Sequence, residues 1–173
     1  MPAMNHNTIS LIGMPGAGKS TVGVLLAKLL GLNFIDSDLL IQVRHQATLQ
    51  AILDRDGHLR LRQLEEEVLL DTPLDNTLLA TGGSAVYSEA AMARLRELGP
   101  VVFIDTPLDV LLQRVDDADQ RGIARAPDQN FSDVFAERQP LYQRYADITI
   151  AGQEQSAEMT ARLLARQLSD TRE

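Results

Sequence analysis

The chain contains no cysteine and no tryptophan, and only 4% of its residues are aromatic. Without cysteine, neither a disulfide nor a thiolate metal site can form. Lysine is almost absent: Lys19 and Lys28 stand against fourteen arginines. Nearly every cation is therefore a planar fork suited to a carboxylate or a phosphate, and position must decide which arginines serve a site and which only the surface. No apolar run approaches the roughly 20 residues needed to cross a bilayer. No N-terminal stretch joins basic residues to an apolar run in the manner of a signal peptide. The expectation is a cytoplasmic protein with no membrane partner. A net charge of −8 argues against a nucleic-acid partner, which would require a positive field over a broad face.

What remains is a chain of 173 residues, 45% of them hydrophobic, with no compositional break. This fits one domain over residues 1–173, large enough to bury a continuous core, and a monomer is the default expectation. Short apolar runs suited to buried parallel strands occur at 9–12, 33–36, 77–81, 101–105 and 147–150, and helical patterns separate most of them. The alternation predicts an α/β, doubly wound, five-stranded parallel sheet with ligands at the carboxyl ends of its strands. Residues 116–130 lack a clean period and interrupt two helical segments, which predicts a mobile lid with Gly122 as a hinge.

Gly13-Met14-Pro15-Gly16-Ala17-Gly18-Lys19-Ser20 satisfies the Walker A pattern at every fixed position, after a strand and before a helix. Its glycines let backbone N–H groups wrap phosphates, and the helix N-terminus adds its positive end. Lys19 reaches the β- and γ-phosphates, and Ser20 can ligate magnesium. ATP and Mg2+ follow as expected ligands, with Gly13, Gly16, Ala17, Gly18, Lys19, Ser20 and Thr21 forming the nucleotide site. Asp36-Ser37-Asp38 places two carboxylates just after the second strand, where both could face the phosphates if extension continued. One could hold the ion through water while the other orients or deprotonates an acceptor hydroxyl; spacing leaves the division open.

Residues 13–21, Asp36-Ser37-Asp38, residues 57–65, Thr81-Gly82-Gly83 and Glu137-Arg138-Gln139-Pro140-Leu141-Tyr142 occur in the order and approximate spacing of shikimate kinases, a match running from about residue 9 to 150. The chain resembles this branch of the nucleoside-monophosphate-kinase-like P-loop fold. The resemblance implies phosphorylation of the 3-hydroxyl of shikimate, a small anionic alcohol, with MgATP. It assigns Asp36 to the ion and Asp38 to the acceptor hydroxyls, and Arg62 and Arg138 to the acceptor carboxylate. Two convergent forks would hold and orient that carboxylate for in-line attack. Glu65, one helical turn from Arg62, would fix its rotamer. Alignment through Pro127-Asp128 makes Arg121 the lid arginine that reaches the phosphates, with Arg125 able to exchange roles, and lays Arg114 against adenine.

Three departures from the family pattern fall on the acceptor side. His58 and Leu61 stand where the family has glutamate and phenylalanine, and Ser84 replaces the third of three glycines. Gly82, Gly83 and Ser84 would still border the acceptor, but Ser84 either fills space the glycine left open or offers a new hydroxyl. The alternatives are a kinase of another hydroxy acid or polyol, and a non-catalytic ATP-binding regulatory module. His6, His45 and His58 have no metal-ligand spacing, and Tyr142 and Tyr145 read as packing residues.

Overall fold

The computed structural model describes residues 7–115, 122–152 and 155–170. The elements in chain order are β1 (Ile9–Ile12), α1 (Lys19–Leu30), β2 (Asn33–Asp36), α2 (Ser37–His45), α3 (Leu49–Asp56), α4 (His58–Asp71) and β3 (Thr77–Ala80). A 3-10 turn, Ala85–Tyr87, then leads to α5 (Glu89–Leu98), β4 (Val101–Asp105), α6 (Leu108–Arg114), α7 (Phe131–Tyr145), β5 (Ile148–Ala151) and α8 (Ala157–Asp170). The five strands form one parallel sheet in the order β2-β3-β1-β4-β5. The expected strands all form, β3 ending one residue early and β5 shifted by one residue along the chain.

Every residue of β1 and β3 is buried, which explains why these strands read as continuous apolar runs rather than alternating ones. At the carboxyl edge, Thr81 N and Oγ1 both donate to Leu11 O, pinning the exit of β3 to that of β1. Asp36, the P-loop, residues 81–83 and Asp105 therefore share one edge of the sheet. Gly23 lets α1 lie close over this sheet: a Cβ there would stand 2.8 Å from Leu78 Cδ2 and 2.9 Å from Phe34 Cε2.

The core is not continuous as expected. The larger cluster covers the sheet, while Ile41, Ile52, Leu61, Leu64, Val68 and Ala124 form a second one beneath α2, α3 and α4. Three helices inserted between β2 and β3 cannot all reach the sheet, so they bury a face of their own. Leu61 sits in that cluster, 4% exposed, which makes it a core residue. Ala124 comes from the segment expected to be a free lid, and Ile123 beside it is also buried. Residues 122–124 are packed down: Gly122 N donates to Gln50 Oε1 at 2.7 Å, and Ala124 O accepts from two arginines.

Candidate active site

The phosphate side is built largely from backbone. Gly16 (φ 84) and Gly18 (φ 93) occupy the left-handed region that favours glycine. Gly18 caps α1 without a side-chain hydrogen bond, leaving the first-turn N–H groups aimed at the loop. Lys19 is buried and donates to Gly13 O at 2.7 Å and Met14 O at 2.9 Å. Burial pushes its ammonium down to about 8, against the opposing pull of Asp38 and Glu65. Ala17 is buried beneath the loop, and Thr21 faces out beside it. Arg114 closes one side, donating to Gly16 O at 3.4 Å and Gly152 O at 3.0 Å.

Asp36 corrects the expectation of continued extension. The chain turns helical at Ser37, and Asp36 caps α2 by accepting from Leu39 N at 3.1 Å through Oδ1. Its Oδ2 accepts from Ser20 Oγ at 2.7 Å, so capping and the P-loop are both served by one carboxylate. Ser20 and Asp36 are hard oxygen donors beside the phosphate loop, a pair that suits a magnesium ion completed by phosphate oxygens and water. Among the described residues no group of three or more His, Cys, Asp or Glu side chains could hold a metal by itself.

Asp38, in the first turn of α2, lies between two cavities. One holds the P-loop residues Gly16, Lys19 and Ser20 with Arg114; the other is lined by Asp38, Glu65, Gly83, Ser84, Ala124 and Arg138 and has a volume of about 110 Å3. Burial first, and then the Asp36 charge, push the Asp38 carboxyl up to about 6, with Lys19 drawing it back. Gly82 and Gly83 are glycines for want of space. A Cβ at Gly82 would stand 2.5 Å from both Asp38 Oδ1 and Glu65 Oε1, and one at Gly83 would stand 2.5 Å from Arg138 Nη1.

Ser84 has φ −92, so this position does not require the left-handed freedom of glycine. Its hydroxyl donates to Glu65 Oε2. Glu65 therefore does not fix Arg62 as expected; the helical neighbour is captured by a residue across the cavity. Burial, then the Asp38 charge, push Glu65 up to about 7 against the Ser84 hydrogen bond, and its Oε1 is buried without a hydrogen-bond partner. Arg62 pairs instead with Glu137 at 3.7 Å and lines an adjoining cavity with Tyr87, rather than the one holding Asp38 and Arg138. Arg138 is 1% exposed. Both arginines nevertheless aim at one point: Arg62 Nη2 and Arg138 Nη2 donate to Ala124 O at 3.3 and 3.0 Å.

Tyr142 is a packing residue, stacked on Phe103 with centroids 5.1 Å apart and donating its hydroxyl to Gly83 O at 2.6 Å. Arg121 and His6 lie outside the described residues, and Arg125 is half-buried. Sequence reasoning missed Ile123 and Ala124 as walls of the cavity, and Tyr87, whose ring faces Arg62. Nothing local in the sequence marks these three.

The family model for shikimate kinase matches residues 15–169. The shikimate kinase of Halorhodospira halophila is 39% identical over 145 residues, 82% of each chain; that of Aquifex aeolicus is 35% identical over 157 residues, 90% of this chain and 93% of that one. Among solved structures, shikimate kinase from Acinetobacter baumannii in complex with shikimate aligns with a TM-score of 0.85 at 33% identity, covering 95% of this chain and 93% of that one. The Aquifex aeolicus structure aligns with a TM-score of 0.81 at 34% identity, covering 95% and 97%.

Proposed function

The chain belongs to the shikimate kinase family, and we propose that it transfers the γ-phosphate of MgATP to the 3-hydroxyl of shikimate within one kinase domain over residues 1–173, as a cytoplasmic monomer. The observation that carries the reading is the place of Asp38, on the wall of both the P-loop cavity and the acidic and basic cavity beside it. A group there meets the acceptor hydroxyl and the phosphate at once. Among the described residues no helix is long and apolar enough to cross a membrane.

First-turn amides of α1 and the loop bind the phosphates, and Lys19 leaves the Gly13 and Met14 carbonyls to neutralise charge on the transferred group. Asp38 accepts the hydrogen bond of the hydroxyl and its proton as the oxygen attacks phosphorus; the bond from the γ-phosphorus to the bridging oxygen breaks and ADP leaves. Arg138 and Arg62 take the acceptor carboxylate, displacing the Ala124 carbonyl on which they now converge. Gly82, Gly83 and Ser84 border the ring, and Arg114 lies beside the base. Arg121 is assigned to the phosphates by resemblance alone. A magnesium ion, held by Ser20 and through water by Asp36, would supply charge neutralisation across the β- and γ-phosphates.

A second reading keeps this machinery and changes the acceptor, since Ser84 occupies space a glycine would leave and engages Glu65. ADP release from MgATP with and without shikimate separates the two, with Asp38→Ala and Arg62→Ala as controls. Release that depends on shikimate and is lost in both variants supports the first. A protein that binds ATP yet ignores shikimate rejects it, and Ser84→Gly then tests whether pocket shape is the cause.

A further inference from the structure

Tyr87 sits at the end of the 3-10 turn that follows the two glycines, and it touches both arginines assigned to the acceptor carboxylate. Arg62 Cζ lies 3.7 Å from its ring centroid and Arg138 Cζ 5.4 Å away. The phenol oxygen accepts from Arg138 Nε at 3.4 Å and donates to Glu137 Oε1 at 2.5 Å. Glu137 in turn pairs with Arg62, and accepts from Gln129 at 2.7 Å. One side chain thus offers a π face to the first fork and a hydroxyl to the second.

The two forks come from different helices, α4 and α7, and a long flexible side chain from each would sample many geometries if untethered. Arg62 needs such a tether most, because its Nε is buried without a hydrogen-bond partner. An electron-rich ring face offsets part of the loss. With Tyr87 behind them, both Nη2 groups reach the same oxygen, that of Ala124. We propose that Tyr87 is a positioning residue that sets the spacing and aim of the Arg62 and Arg138 forks, and so determines affinity for the acceptor's carboxylate without touching it. The inference rests on the reading of those arginines as the carboxylate site.

The test is steady-state kinetics of full-length wild type, Tyr87→Leu and Tyr87→Phe with MgATP and shikimate, with thermal unfolding of each. Loss of ring and hydroxyl in Tyr87→Leu is expected to raise KM for shikimate about tenfold, the scale of a partly desolvated cation–π contact. KM for ATP should stay within about twofold. Tyr87→Phe keeps the ring and should recover most of the affinity, with KM raised about threefold. Packing alone would lower Tm without this split. An unchanged KM for shikimate in Tyr87→Leu, or parallel changes in both KM values, overturns the role of Tyr87 while leaving the acceptor reading standing. A wild type indifferent to shikimate overturns both.

Discussion

The phosphate side and the acceptor side of this site are made in different ways. The first is a contiguous run, residues 13–20, which offers mostly backbone amides and places glycines with positive φ at 13, 16 and 18. The second is assembled from α2, α4, the 81–87 loop, residues 122–124 and α7, and its working groups are side chains held by one another. A backbone site tolerates change in its neighbours; a side-chain site depends on each partner. Ser84, which departs from the family's glycine, falls on the acceptor side.

Asp38 belongs to both sides, and its removal should break the comparison most severely. Asp38→Asn is expected to lower kcat about 1,000-fold, within the usual range for an acid–base group, while ATP still binds. The same variant should be more stable at pH 7.5. Because the folded carboxyl is raised to about 6, its ionisation opposes folding; the contribution it makes is present below pH 4 and lost as pH rises through 6. Thermal unfolding at pH 7.5 and pH 4 checks this: the gain in Tm should appear only at the higher pH.

Glycine substitutions separate the two construction principles. Gly82→Ala places a methyl against Asp38 and Glu65 and should raise KM for the acceptor about 100-fold with little change for ATP. Gly18→Ala has open space around its Cβ but a strained φ, and should weaken ATP instead. Kinetics with each substrate varied in turn would read the contrast.

The pH limbs should also divide by side. Loss of the Asp38 carboxylate makes kcat/KM for the acceptor fall as pH drops through about 6. Loss of the Lys19 charge makes kcat/KM for ATP fall as pH rises through about 8. The smallest effect expected is that of Ser84→Ala, which removes a hydrogen bond that holds Glu65 down. It should raise KM for the acceptor about threefold.

The same contrast explains what was legible in the sequence. Residues 13–20, the five strands and the parallel fold could be read because local pattern determines them: buried strands are short apolar runs, and an anion loop has fixed glycine spacing. Gly82, Gly83 and Arg138, and the division of roles between Asp36 and Asp38, were reached through family resemblance, and the structure brings Asp38, Gly82, Gly83 and Arg138 together. The pairing of Glu65 was misread because helical spacing makes Arg62 its neighbour, whereas the Ser84 hydroxyl competes from another segment. Tyr87, Ile123 and Ala124 were illegible because their place depends on how α4, α7 and the 122–124 segment pack. Asp36 was half legible, since no local pattern says that a carboxylate can cap α2 with one oxygen and meet Ser20 with the other.

The most direct test of the central claim, that Asp38 joins a phosphate site to an acceptor site, is product identification by phosphorus and proton NMR after incubation with MgATP and shikimate. The account predicts one monophosphate ester, at the 3-hydroxyl, formed in step with ADP by wild type and about 1,000-fold more slowly by Asp38→Asn. ADP with inorganic phosphate and unmodified shikimate, or an ester formed equally well by both proteins, would contradict it.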